Sequence, residues 1–206
     1  MKLTFERWKR FLKESKRDTI VAIFGPSGSG KSRQKNVFKQ HGWHEIVSYV
    51  TRPPRSEEDI EYEFAPEEEW IKERRKGNLI NTNQYGGNFY GTKISDFRNA
   101  KKAVLVTDIS NINDSRGLFD LKKVADKEGK RLILVFSAPP GKKELELRHK
   151  ERHKTGEYSS EEEYEMRMSK AAEESASMAT TLEGISTEVY TIYNDEDAER
   201  LARELA

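Results

Sequence analysis

Three features of the sequence predict an α/β fold, a three-layer core with a mostly parallel sheet. Short apolar runs rich in β-branched residues, Thr19–Phe24, Ala103–Thr107 and Arg131–Phe136, read as buried strands. Helical patterns alternate with them, and that alternation implies a sheet covered on both faces. The first run leads directly into a glycine-rich turn and then a helix. The 206 residues suffice for one sizeable core, or a core with small inserts.

That turn is Gly25-Pro26-Ser27-Gly28-Ser29-Gly30-Lys31-Ser32, which fits G-x-x-x-x-G-K-[ST] at every fixed position. Small residues let backbone N–H groups close around phosphate oxygens. Lys31 reaches the β/γ-phosphates, and the Ser32 hydroxyl is a ligand for Mg²⁺. The following helix, about Lys31–Gln40, points its positive dipole end at the anion. A nucleoside triphosphate site follows.

Composition narrows the rest. Charged residues make up 35% of the chain, but 37 Lys and Arg nearly cancel 36 Asp and Glu. That balance argues against a broad nucleic-acid-binding surface. With no cysteine, there is no disulfide framework and no thiolate chemistry, which fits a cytoplasmic protein. No apolar run approaches the length of a membrane span, and the N-terminus lacks the apolar core of a signal peptide.

In chain order, Leu3–Lys16 reads as a helix, with Phe5, Trp8, Phe11 and Leu12 on one stripe. Glu45–Val50 reads as a second strand. Thr51-Arg52-Pro53-Pro54-Arg55 follows, stiffened by two prolines, with two guanidinium groups suited to bidentate phosphate binding. Pro66–Lys76 reads as a helix burying Trp70 and Ile71. Leu79–Tyr85 and Phe89–Thr92 read as a hairpin turning at Gly86-Gly87-Asn88. Asp96–Lys101 is a short helix. Asp108 ends the next strand, where ligands bind in open α/β sheets. Leu118–Glu128 is helical. Gly141–Met178 is polar and helical, interrupted at Thr155–Ser159, with Ser159 or Ser160 capping the next helix. Glu188–Tyr193 is the last strand and Asp195–Leu205 the last helix. His149 and His153 stand four apart, but cationic neighbours argue for a solvated basic helix rather than a zinc site.

From about residue 19 onward the chain resembles the guanylate kinase family. The resemblance rests on the glycine-rich loop, Ser48 with TRPPR, Tyr62 with Phe64, GNFYGT at Gly87–Thr92, Asp108, the arginines of Arg148–Arg167, and Asn194. It implies a core (19–47, 93–143 and 167–206), an inserted monophosphate-binding domain (48–92) and a helical lid (144–166), with residues 1–18 as an N-terminal extension. By the resemblance, Gly25 to Ser32 hold ATP. Ser48, Arg52, Arg55, Tyr62, Asn81, Tyr90, Thr92 and Asp108 take the acceptor nucleotide. Arg148, Arg152 and Arg167, with Lys31 and Arg52, serve the transferring phosphoryl group. Mg²⁺ accompanies ATP. The partners implied are small-molecule nucleotides, with no nucleic acid and no membrane, in a monomer or homodimer.

Three positions depart from the family pattern. The glutamate six residues before the Gly of G-N-x-Y-G is Asn81 here, an acid two residues before Asp108 is Val106, and the stretch from Arg152 to Arg167 is longer. A carboxylate accepts both donors of guanine, N1–H and the 2-amino group, whereas an amide offers one acceptor and one donor group. The expected reaction is transfer of the ATP γ-phosphoryl group to GMP or dGMP. The alternatives are a nucleoside monophosphate kinase of altered base specificity, a non-catalytic peptide-binding module of the same family, and a kinase acting on a phosphorylated sugar.

Overall fold

The computed structural model describes residues 17–54, 59, 62–85, 87–107, 117–156, 158, 160–169, 171, 185 and 187–205. The expected N-terminal helix, Arg55 and Asp108 lie outside the described residues.

The apolar runs form a five-stranded parallel sheet in the order β2-β7-β1-β8-β9, with β1 (Thr19–Phe24) at its centre. Its partners are β2 (His44–Glu45), β7 (Lys102–Val106), β8 (Arg131–Ser137) and β9 (Glu188–Ile192). Strand alternation makes three layers. Ile20, Ala22 and Phe24 pack on one face with Phe97 of α3 (Ile94–Asn99) and Leu121 of α4 (Leu118–Lys127). Val21 and Ile23 pack on the other with Phe38 of α1 (Lys31–Gln40) and Leu201 of α7 (Asp195–Glu204). From Ile20 to Phe24 neither face of β1 sees water, which is why the run carries no alternating polar residues.

A second sheet, β4-β3-β6-β5, is built from β3 (Ser48–Val50), β4 (Tyr62–Phe64), β5 (Leu79–Tyr85) and β6 (Asn88–Lys93). It is mixed: β3 runs parallel to β4 and antiparallel to β6. Its small core is Tyr49, Ala65, Leu79 and Trp70, the last from α2 (Glu67–Arg75). Trp70 stacks on Phe89 at 5.0 Å and donates its indole N–H to the Tyr49 carbonyl. The hairpin between β5 and β6 forms as expected, with Gly87 at φ +78° in its turn.

One sequence expectation is corrected here. Glu45–Val50 is not one strand but two, in different sheets. The Ile46 N–H still donates to Val104 of the first sheet, whereas Ser48 pairs with Thr92 and Tyr62 of the second. The chain changes sheets in between, a step that a run of β-formers does not reveal.

Past β8, the polar helical region divides into α5 (Lys142–Lys154) and α6 (161–169). The Ser160 hydroxyl accepts from the Glu163 N–H and caps α6, with glutamates in the first turn.

Candidate active site

The loop after β1, the second sheet and α5 enclose one cleft of about 660 Å³. Its first wall is backbone. At Gly25 the chain turns with φ +145°, and an added Cβ would lie 2.5 Å from the Ser137 carbonyl oxygen. At Gly28, φ +80°, an added Cβ would lie 2.8 Å from Leu145 and 3.0 Å from His149 of α5. Only glycine fits both positions. α1 begins with no side-chain cap and no acidic residue in its first turn, so its N-terminal N–H groups and dipole are left for an anion. The Lys31 ammonium folds back over the loop and donates to the Gly25 and Pro26 carbonyls, the latter at 3.1 Å. Ser27, Gly28, Gly30, Lys31 and Ser32 line the cleft; Gly25, Pro26 and Ser29 do not.

The second wall is side chains. The two motifs TRPPR and GNFYGT lie some forty residues apart but become neighbours, with Ser48 opposite Thr92 and Val50 opposite Tyr90. Thr51 and Phe89 add a backbone hydrogen bond at 3.0 Å and a side-chain one at 2.8 Å. Arg52 is only 7% exposed. It donates to Asp59 at 2.7 Å and to the Pro53 carbonyl at 2.9 Å, with its guanidinium 4.4 Å over the Tyr62 ring and 5.1 Å over Phe64. Burial opposes this charge, but the Asp59 carboxylate outweighs it and holds the Arg52 pKa above its ordinary value. Tyr62 and Tyr90 meet edge to face at 6.4 Å beside it, and all three line the cleft.

Asn81 sits deeper. Ile80 pairs with Thr92 and Asn83 with Tyr90, so Asn81 and Thr82 together stand opposite Gly91 in a bulge. Asn81 has φ +52°, the only positive φ among described residues other than glycine. Its side chain is 5% exposed, and its Oδ1 accepts from the Thr107 hydroxyl at 2.8 Å. Asn81, Ser48 and Thr107 line the cleft, whereas Thr92 is buried away from it.

The third wall comes from α5 and α6. Arg148, Arg152 and Arg167 all face the cleft. Arg148 donates to the Gly28 carbonyl at 3.1 Å and to Glu144 at 3.0 Å. Arg167 bonds Glu163 at 2.8 Å and lies 4.8 Å over the Tyr158 ring.

The expectation of a solvated helix is wrong at His149, which is fully buried. One ring nitrogen meets the Ser27 carbonyl at 3.1 Å and the other the Tyr158 hydroxyl at 2.7 Å. His153 pairs with Glu161 at 2.8 Å. Among the described residues, no cluster of three or more His, Cys, Asp or Glu is arranged to hold a metal.

Sequence reasoning passed over Asp59, Thr107 and the His149–Tyr158 pair. Asp59 had a signal: a buried arginine needs an acidic partner, and the acidic run before Tyr62 supplies one. Thr107 had none, because its partner Asn81 is distant in sequence, and Tyr158 had none, because its contact with His149 depends on how the chain turns after α5.

The model of the family described as guanylate kinase matches residues 16–188. The chain is 35% identical to the guanylate kinase of Schizosaccharomyces pombe over 138 residues, 62% of this chain and 63% of that one. It is 32% identical to the guanylate kinase of Streptococcus thermophilus over 197 residues, 92% of this chain and 86% of that one. The match spans less than two thirds of the Schizosaccharomyces pombe relative and 65% of the Synechococcus guanylate kinase. The crystal structure of guanylate kinase from Anaplasma phagocytophilum superposes with a TM-score of 0.60 at 21% identity, covering 92% of this chain and 85% of that one, a likeness of fold. The chain belongs to the guanylate kinase family.

Proposed function

We propose that the protein transfers the γ-phosphoryl group of ATP to a nucleoside monophosphate, GMP or dGMP, giving ADP and the diphosphate. The observation that carries this reading is the meeting, in one cleft, of a phosphate-binding loop, a buried arginine flanked by two tyrosines, and three further arginines. Phosphoryl transfer needs alignment and charge neutralisation more than covalent chemistry. The attacking monophosphate oxygen is already anionic, so no strong base is required. Mutual repulsion between polyanions is the obstacle. In this reading Ser27, Gly28, Gly30, Lys31 and Ser32 hold ATP, with Gly25, Pro26 and Ser29 shaping the loop behind them. Arg52, with Arg55 and the hydroxyls of Tyr62 and Tyr90, holds the acceptor phosphate. Arg148, Arg152, Arg167 and Lys31 gather the charge that develops in transfer.

Mg²⁺ fits this donor set only as a nucleotide-borne ion. The exposed Ser32 hydroxyl at the cleft is the protein's ligand, and phosphate oxygens and water complete the shell. Such an ion supplies charge neutralisation at the phosphates.

A second reading keeps the chemistry and changes the base. It is favoured by the hydrogen bond from Thr107 to Asn81, which occupies part of the amide's acceptor capacity and leaves its N–H₂ for the ligand. That arrangement suits an edge with one donor and one acceptor, as adenine or a pyrimidine offers, better than the adjacent N1–H and 2-amino donors of guanine. One measurement separates the readings: a coupled ADP-release screen over all ribo- and deoxyribonucleoside monophosphates. Turnover confined to guanine supports the first, turnover with another base the second. ATP binding without turnover on any acceptor overturns both.

A further inference from the structure

We propose that His149, oriented by Tyr158, is a positioning residue that sets the peptide geometry of the phosphate-binding loop for ATP. The proposal rests on the phosphoryl-transfer reading for its consequence, but on the contacts of α5 for its basis. Two successive residues of α5 bind two successive carbonyls of the loop: His149 the Ser27 oxygen at 3.1 Å and Arg148 the Gly28 oxygen at 3.1 Å. The Ser27–Gly28 peptide is trans, so its C=O and N–H point in opposite directions. Fixing the Ser27 carbonyl towards α5 therefore aims the Gly28 N–H away from α5. The imidazole thus acts on the loop through the backbone, without touching the nucleotide itself.

The ring's orientation is fixed in turn. Facing a carbonyl, Nε2 carries the proton and donates, which leaves Nδ1 as the acceptor for the Tyr158 hydroxyl at 2.7 Å. Tyr158 is 5% exposed and lies beneath the Arg167 guanidinium at 4.8 Å. One chain of contacts therefore runs from the loop carbonyl through His149 and Tyr158 to Arg167 on α6. Gly28 completes the fit, since any side chain there would collide with Leu145 and His149. A leucine at 149 would fill the space but supply no donor to Ser27.

The test measures ATP binding by calorimetry and steady-state kinetics in the full chain for three variants. His149→Leu is expected to weaken ATP binding, in Kd and KM alike, by about tenfold, the order of one lost hydrogen bond, while KM for the monophosphate holds. His149→Gln keeps an N–H at the position of Nε2 and should recover most of that loss. Tyr158→Phe leaves the ring stack and loses only the orienting hydroxyl, so a loss of about threefold is expected. A purely structural role would lower Tm while leaving the ATP Kd of the folded fraction unchanged. An ATP Kd within twofold of wild type in His149→Leu, or no recovery in His149→Gln, overturns the proposal. If His149→Leu does not fold, Tyr158→Phe decides, and an unchanged ATP Kd there overturns it. A wild type that binds ATP but phosphorylates no monophosphate sinks the functional reading, while the ATP affinities still decide the role of His149.

Discussion

The two ends of the cleft are made of different material. At the loop after β1 the site is backbone: glycines at φ +145°, +80° and +112° shape it, on a strand with both faces buried. At the second sheet the site is side chains, each aimed by a partner from elsewhere in the chain. Asp59 and two aromatic rings aim Arg52, and Thr107 and a bulge aim Asn81. A backbone site tolerates little change but is written in one contiguous stretch. A side-chain site is open to substitution residue by residue, which makes it the natural place for specificity to differ between relatives.

The largest effect is expected at the backbone end. Lys31→Met should keep the fold and lower kcat by about a hundredfold or more, because the loop loses its side-chain charge at the phosphates. Rapid-quench and steady-state kinetics check this, and turnover within about threefold of wild type would remove Lys31 from transfer. Next comes Arg52→Ala. It should reduce kcat/KM for the monophosphate by about ten- to a hundredfold and leave ATP affinity unchanged, so that the two ends separate energetically. Equal weakening of ATP would merge them. Asp59→Asn sharpens the same point: it keeps the shape but removes the charge that orients Arg52, and a smaller loss of acceptor affinity is expected.

The contrast also explains what the sequence made legible. The parallel sheet, the loop, α1 at Lys31–Gln40 and the hairpin were all readable, because each depends on residues adjacent in the chain. TRPPR and GNFYGT were readable as residue types, but not their pairing across β3 and β6. The break between β2 and β3 was not readable, because the apolar pattern continues through a change of sheet. His149 misled for a related reason. The helix around it is polar, and its burial comes from Gly28 and Tyr158, one far away in sequence and the other across a turn.

Asn81→Glu tests whether the side-chain end sets the base. A carboxylate there would present two acceptors to guanine, so kcat/KM for GMP or dGMP should rise relative to other bases by about 5- to 150-fold, the range of 1–3 kcal/mol. Thr107→Val should weaken whatever preference wild type shows, since it frees the Asn81 carbonyl. A base profile unchanged in both variants would move residue 81 away from the base.

The smallest expected effect links the two ends through pH. The His149 pKa lies below its ordinary 6.5, chiefly through burial; the Ser27 carbonyl works the other way, and the charges of Arg152, Arg167 and Lys31 push it further down. Those three cations come from α5, α6 and the start of α1, and each opposes protonation of the ring. The unfolded chain binds that proton more readily than the folded one, so stability rises with pH across the window. The contribution is complete above about pH 6.5 and is lost as pH falls from there towards the folded value. Burial works against the Glu45 carboxylate, but Lys35 and Lys39 outweigh it and hold its pKa low, as Arg131 does for Glu188; both start from 4.5 and act in a more acidic window. Between pH 8 and 5.5, wild-type Tm should therefore fall more than that of His149→Leu, although the variant starts lower at pH 8. Apparent ATP affinity in wild type should decline over the same range, because a charged imidazole beside Arg152, Arg167 and Lys31 loosens α5 from the loop. Parallel Tm curves for the two proteins would mean that the ring is not what couples α5 to the phosphate-binding loop.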